Sequence, residues 1–122
     1  MSTLLLITAA PTSIHAWHAL GLAQSLKEKN EEFRVFFYQD GVHVANSLNW
    51  VPDDQRNLTA EWLKLDIHLP VCVSAALSRG ITDAENAQRH QLSLHNLSLG
   101  FELTGLGELA DAVESAQRLI QF

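Results

Sequence analysis

The N-terminal third of the chain changes from a continuous apolar run to a helical repeat. Residues 4–8 form an apolar run that ends before Pro11, which is typical of a strand buried on both faces of a parallel sheet. From 13 to 29 the apolar positions instead recur every three or four residues, which predicts a helix with Ser13 as its N-cap and lysines in its last turn. The apolar positions of that repeat are Ala16, Ala19, Leu20, Ala23 and Leu26.

A second apolar run follows at residues 33–38 and ends in a turn sequence. Strand, helix and strand in succession form a βαβ unit, whose crossover is right-handed in about 98% of cases. Beyond it, the pattern predicts a short helix within 41–48 and a loop over 49–57. Another helix is predicted over 59–65, with Trp62 pointing inward.

The same alternation continues after residue 68. Residues 69–73 are typical of a third strand, and Pro70 belongs at its start because proline cannot donate to a strand ladder. A short helix is predicted over 74–79, and Gly80 ends it because glycine tolerates a positive φ.

The segment Thr82-Asp83-Ala84-Glu85 is a capping box and predicts a helix that begins after Thr82 and runs to about residue 91. The remaining pattern predicts a strand at 99–103, a helix at 107–116 and a last strand at 118–122. These elements predict one three-layer α/β domain over residues 1–122, with about five mostly parallel strands flanked by helices.

Charge and composition narrow the classes of function. The chain has 122 residues, with 8 basic and 14 acidic side chains and a net charge of −6, which argues against a protein that grips nucleic acid through its phosphates. Hydrophobic residues make up 47% and charged residues 18%, so the chain is globular, and the low charged fraction indicates that partners cover part of its surface. A single cysteine excludes a disulfide framework and a thiolate zinc site.

The first residues predict no targeting segment. The apolar run is short and no lysine or arginine precedes Lys27, whereas a secretory signal combines a basic region with a longer apolar stretch. No stretch approaches the roughly 18 apolar residues of a membrane span. We therefore expect a cytoplasmic protein.

Cys72 is the main candidate for chemistry. It falls at the carboxyl end of a predicted central strand, where α/β sheets bind their ligands, and directly before a predicted helix. Backbone N–H groups at a helix N-terminus favour the thiolate, the nucleophile of sulfur transfer, and one thiolate can carry a persulfide without a partner cysteine. The alternative is a buried cysteine that only packs.

Three other patterns favour structural interpretations. His15 and His18 are three residues apart but lack further ligands at metal-binding spacing. The G-x-G-x-x-A match at 105–110 lacks the following strand and acidic residue of a dinucleotide site, so we expect tight helix–sheet packing to explain its glycines. The segment 40–42, with Asn46, is typical of a turn, although it would lie on the same rim as the cysteine.

Four segments, taken together and in order, resemble the DsrE/DsrF-like sulfur-relay family, most closely its TusD members. In order, they correspond to the family's second strand, the segment that holds its sulfur-carrying cysteine, a third segment before the last helix, and the last strand. The segments are Phe36–Val42 with Ala45-Asn46, Val71–Gly80, Asn96-Leu97 with Gly100–Gly107, and Arg118–Phe122.

The resemblance implies a DsrE-like, flavodoxin-like fold and a cytoplasmic sulfurtransferase subunit. Of the family's functional residues it carries over only the cysteine, onto Cys72, which would accept sulfane sulfur as a persulfide with no metal or organic cofactor. The partners it implies are TusB- and TusC-like subunits in a heterohexamer, a TusA-like donor and a TusE-like acceptor. The relay would end in 2-thiolation of the tRNA wobble uridine, with no direct contact to nucleic acid or membrane.

Three other interpretations stay open at this point. The chain could be a DsrE-type subunit of dissimilatory sulfur oxidation, or a non-catalytic scaffold subunit in which Cys72 only packs. A nucleotide- or flavin-binding module is a more remote third.

Overall fold

A single parallel sheet organises the protein, whose computed structural model describes residues 2–122. Its five strands lie in the order β4-β3-β2-β1-β5, and every pairing between them is parallel. The strands are β1 (Thr3–Ile7), β2 (Phe33–Phe37), β3 (Leu69–Cys72), β4 (Phe101–Thr104) and β5 (Arg118–Gln121). The predicted α/β fold class is confirmed.

Five α-helices and one 3₁₀ helix connect the strands. They are α1 (Ile14–Glu28), the 3₁₀ helix (Gln39–Ala45), α2 (Leu58–Leu63), α3 (Val73–Leu77), α4 (Ala84–Arg89) and α5 (Leu106–Ser115). Over residues 2–122, every helix is too short or too polar to cross a bilayer.

The order of the strands places the helices on two sides of the sheet. The chain steps outward from β1 to β4 and then returns past β1 to form β5. Because parallel crossovers are right-handed, this reversal puts α5 on the face opposite α1 and α2. Two residues of β2, three positions apart, show both sides. Arg34 pairs with Asp111 of α5 while the Phe37 ring meets Trp62 of α2, and strand positions of unlike parity point to opposite faces.

The two faces differ in composition, and we call them the α1–α2 face and the α5 face. Apart from Thr3 and Arg118 at the amino edge, the α1–α2 face is apolar; its buried residues are Leu5, Ile7, Val35, Phe37, Leu69, Val71 and Phe101. The α5 face mixes apolar and polar positions, which include Leu4, Arg34, Phe36, Pro70, Cys72, Glu102, Thr104 and Gln121.

Helix α1 forms where the sequence predicts it, with the predicted N-cap and the predicted buried side. Ser13 is its N-cap, and the Ser13 hydroxyl accepts a hydrogen bond from the His15 N–H at 3.1 Å. The predicted apolar repeat is the buried stripe of this helix. Trp62 is 1% exposed, which confirms its predicted inward orientation in α2.

The predicted capping box is wrong. The N-cap of α4 is Asp83, whose carboxylate accepts from the Asn86 N–H at 2.8 Å. The Thr82 N–H donates instead to the Asn96 side-chain carbonyl at 3.0 Å, so Thr82 is held outside the helix by a residue far away in the chain. Asp is also a stronger N-cap than Thr, so the local preference and the distant contact both favour Asp83.

Candidate active site at the end of the third strand

Cys72 lies where the sequence predicts it, at the last position of β3 and the N-cap of α3. Its backbone angles, φ −60° and ψ 120°, are those of an extended residue at a strand-to-helix junction. The residue is 0% exposed and its thiol is free. The chain's one cysteine therefore lies at the carboxyl edge of the sheet and is enclosed by protein.

The Ser74 hydroxyl contacts the cysteine sulfur. The Cys72 Sγ and Ser74 Oγ atoms are 3.4 Å apart, a distance at which either group can donate a weak hydrogen bond. Ser74 belongs to the first turn of α3, so the short helix itself fixes this contact. No sequence pattern pointed to Ser74.

Thr104 is the neighbour of Cys72 on the adjacent strand. The register of β3 and β4 pairs the two residues, and paired positions of parallel strands point to the same face of the sheet. The Thr104 hydroxyl is buried, yet it has no hydrogen-bond partner among the described residues. It lies immediately before Gly105, the N-cap of α5, which provides no side-chain cap.

The 3₁₀ helix is fastened to the helix that follows the cysteine. Arg79 donates from Nε to the Asp40 carboxylate at 3.0 Å and from Nη1 to the Ala75 carbonyl at 3.1 Å. Gly41 allows the close approach, because a Cβ there would lie 2.1 Å from the carbonyl oxygen of Ile7. The segment 40–42 thus joins the ends of β1, β2 and β3, which is more than a turn.

Asn46 and Asn96 join two loops at the same edge of the sheet. The Asn46 side-chain carbonyl accepts from the Leu48 N–H at 2.9 Å and from Asn96 Nδ2 at 3.2 Å. The Asn96 amide also donates to the Gly80 carbonyl at 3.1 Å. These contacts make Asn46 a cross-link between loops; no hydrogen bond joins it to Cys72.

The contacts of His68, His15 and His18 do not involve the cysteine sulfur. His68 Nε2 is 3.0 Å from Glu108 Oε1, and its Nδ1 is 3.8 Å from a Glu102 oxygen. The rings of His15 and His18 meet edge to face, with centroids 6.1 Å apart. Over the part of the chain that the structure describes, no three His, Cys, Asp or Glu residues are grouped as metal ligands.

The expected packing role of the glycines at the start of α5 is wrong. A Cβ added at Gly105 or Gly107 would meet no atom within 4 Å, so close helix–sheet contact does not require glycine there. Both residues are exposed.

A separate cavity of about 590 Å³ lies beside the start of α1. It is lined by residues before and within α1, by the loop after Asn49 and by the start of α2. Arg56 stacks over the Trp17 ring at 5.0 Å and donates from Nε to the Glu61 carboxylate at 3.1 Å. That hydrogen bond, opposed in part by burial and supported by Lys64, holds the pKa of Glu61 below its ordinary value of 4.5. Cys72 is not among the residues that line this cavity.

The whole chain matches a known family. A model of the DsrE/DsrF-like family matches residues 1–122. The chain belongs to this family. The crystal structure of the ychN protein from E. coli superposes with a TM-score of 0.75 and 25% identity, covering 100% of both chains. The DsrE-like fold implied by the sequence blocks is therefore confirmed.

Named relatives of this DsrE/DsrF-like protein are sulfurtransferases. "Sulfurtransferase TusD" of Pectobacterium carotovorum subsp. carotovorum is 42% identical over 128 aligned positions, covering 100% of this chain and 99% of that protein. "Sulfurtransferase TusD homolog" of Aliivibrio fischeri is 46% identical over 93 residues, covering 73% and 72%. The predicted resemblance to the TusD members of the family is thus confirmed.

Proposed function

We propose that this protein is a sulfur-relay subunit in which Cys72 accepts sulfane sulfur as a persulfide and passes it on. The sulfurtransferase class follows from the TusD relatives, which match the chain over most or all of its length. The observation that supports the choice of residue is the position of Cys72 at the junction of β3 and α3, on the ligand-binding edge of the sheet. On this proposal, residues 1–122 act as one sulfur-relay domain.

The proposed transfer is a displacement at sulfur that needs no net oxidant or reductant. The Cys72 thiolate attacks the terminal sulfur of a donor persulfide, so that a new S–S bond forms at Cys72 and the donor S–S bond breaks. The donor leaves as a thiolate and takes up the proton that Cys72 lost. An acceptor thiolate then attacks the terminal sulfur in the same way and regenerates Cys72.

The enclosure of Cys72 limits how this exchange takes place. The residue is 0% exposed, whereas the attacking sulfur must approach the donor S–S bond directly. A donor therefore reaches Cys72 only after a local opening at the carboxyl edge of the sheet. We expect this opening to set the rate of loading.

The family resemblance adds the partners and the pathway of this relay to the proposal. TusD relatives imply membership of a sulfur-relay complex, here with TusB- and TusC-like subunits in a heterohexamer. A TusA-like protein would load Cys72 and a TusE-like protein would unload it, toward 2-thiolation of the tRNA wobble uridine in the cytoplasm. The net charge of −6 is in keeping with a subunit that does not itself grip the RNA.

A second candidate is a scaffold subunit in which Cys72 only packs. Its support is the complete burial of the thiol within the hydrophobic core, an environment in which free cysteine acts as a small apolar residue. The two candidates differ in whether the full chain gains sulfur.

The test is intact-mass spectrometry of the full chain after incubation with a TusA-like persulfide donor. We expect a gain of one sulfur atom, about 32 Da, in the parent chain and none in Cys72→Ala or Cys72→Ser. The two variants control for each other, because alanine keeps the site apolar while serine keeps its size. Equal gains in parent and variants would reject Cys72 as the carrier. No gain with TusB- and TusC-like subunits present would favour the scaffold.

A further inference from the structure

The Thr104 hydroxyl is an unusual group in the unloaded protein. Thr104 Oγ1 and Glu108 Oε2 are the two buried side-chain oxygen or nitrogen atoms without a hydrogen-bond partner in residues 2–122. Glu108 still uses its other oxygen toward His68, whereas the only polar side-chain atom of Thr104 is unpaired. A buried group of this kind destabilises the fold, and native proteins keep few of them, often for a functional reason.

The sheet places this hydroxyl beside the cysteine. Cys72 and Thr104 are register partners on adjacent strands, both on the α5 face, and neighbouring strands are about 4.8 Å apart. In the structure the thiol contacts the Ser74 hydroxyl and makes no hydrogen bond with Thr104. The unloaded sulfur therefore has one hydroxyl partner, and a second hydroxyl next to it has none.

Formation of a persulfide extends the cysteine side chain by one S–S bond. The added sulfur lies about 2.05 Å beyond Sγ, which is a large part of the spacing between the two strands. It also carries the negative charge of the persulfide, and a hydroxyl donates more strongly to an ionised acceptor. The N-terminus of α5 begins two residues after Thr104, and its dipole favours a negative charge there.

We propose that Thr104 is a positioning residue whose hydroxyl donates to the terminal sulfur of the Cys72 persulfide, while Ser74 contacts Sγ. This inference rests on the proposed function of Cys72. The hydrogen bond of Thr104 exists only in the loaded state, so it shifts the exchange equilibrium toward the loaded protein. A residue that served only the fold would stabilise loaded and unloaded protein equally.

The test measures the equilibrium of loading rather than its rate. The full chain is equilibrated with glutathione persulfide and glutathione at several ratios, and intact-mass spectrometry gives the loaded fraction. Thr104→Val keeps the shape of the side chain and removes its hydroxyl. We expect it to lower the loading constant about threefold to tenfold, the range of one hydrogen bond, while Thr104→Ser restores most of the loss.

A second readout separates positioning from structure. In the unloaded chain, Thr104→Val replaces an unpaired buried hydroxyl by a methyl group, so the denaturation midpoint should stay level or rise. Opposite signs in the two measurements would support the proposal. A loading constant for Thr104→Val equal to that of the parent, or a serine variant that behaves like valine, would overturn it.

The outcomes for the two proposals are distinguishable. If the parent chain gains no sulfur from glutathione persulfide or from a TusA-like donor even with TusB- and TusC-like subunits present, the proposed function of Cys72 fails. If the parent loads and Thr104→Val loads equally well, Cys72 remains the carrier and only the role of Thr104 is rejected.

Discussion

The two faces of the sheet differ in the groups that their residues contact. On the α1–α2 face, buried apolar residues meet buried partners, as where Phe37 lies between the rings of Trp62 and Phe101, with centroids 5.3 and 5.7 Å away. On the α5 face, strand residues meet polar groups, and the covering helix buries only Ala112 fully. Cys72 belongs to this second face.

The difference shows how a small sheet can hold both an apolar core and polar or titratable groups. Burial of apolar area on the α1–α2 face stabilises the fold, because the hydrophobic effect scales with the area removed from water. The α5 face can then tolerate unpaired or ionised groups such as Thr104 and Arg34. Substitutions on the two faces should therefore differ in the size and kind of their effects.

Trp62→Ala should have the largest effect on stability. The side chain is 1% exposed and packs against Phe37, so its removal leaves a large cavity on the α1–α2 face. We expect a loss of about 3–5 kcal/mol in the free energy of unfolding, measured by chemical denaturation. The matched control is Trp50→Ala, which removes an indole that is 79% exposed and should cost less than about 0.5 kcal/mol. Equal losses in the two variants would contradict the assignment of the core.

Gly41→Ala should have an intermediate effect at the edge between the faces. The added Cβ would lie 2.1 Å from the Ile7 carbonyl oxygen, so the 3₁₀ helix must move away from β1. We expect a loss of about 1–3 kcal/mol, typical of overpacking. Gly21→Ala is the control: the Cβ meets nothing within 4 Å in the middle of α1, and stability should rise by up to about 1 kcal/mol. A neutral Gly41→Ala would show that this edge yields freely.

Breaking the ion pair on the α5 face should have the smallest effect. Arg34 Nη1 and Asp111 Oδ2 are 3.1 Å apart, but both side chains are substantially exposed. In a double-mutant cycle of Arg34→Met and Asp111→Asn, we expect a coupling of about 0.2–1 kcal/mol that falls as salt is added. A coupling free energy that is much larger and insensitive to salt would contradict the expected small contribution of this exposed ion pair.

Local patterns predicted the elements, and distant contacts decided the details. The strand at 4–8 and the helix at 13–29 were placed within about one residue, because each signal lies within its own segment. The cap of α4 is Asp83 rather than the predicted Thr82, whose N–H donates to Asn96, fourteen residues away. Asp also ranks above Thr as an N-cap, so the local preference agrees with this distant contact.

In the candidate site, too, local patterns predicted the position of one residue while contacts between distant residues could not be predicted. The position of Cys72 at a strand end followed from the change of pattern around it, and the structure places the residue there. Thr104 could not be identified from the sequence, because its link to Cys72 depends on the register of two strands about thirty residues apart. His68 was likewise separated from Glu108 by 40 residues. Side-chain partners of this kind exist only once the sheet has formed.

The strand order also has a consequence for the time course of folding. The edge strand β5 pairs with β1, and this pairing joins Thr3 to Arg118, nearly the full length of the described chain. Closing so long a loop costs entropy before any contact is gained, and folding rates fall as the sequence separation of contacts grows. The β1–β2–β3–β4 part of the sheet can assemble from nearer neighbours. The joining of β5 is therefore the natural last step, and the flank of β1 stays open until it is complete.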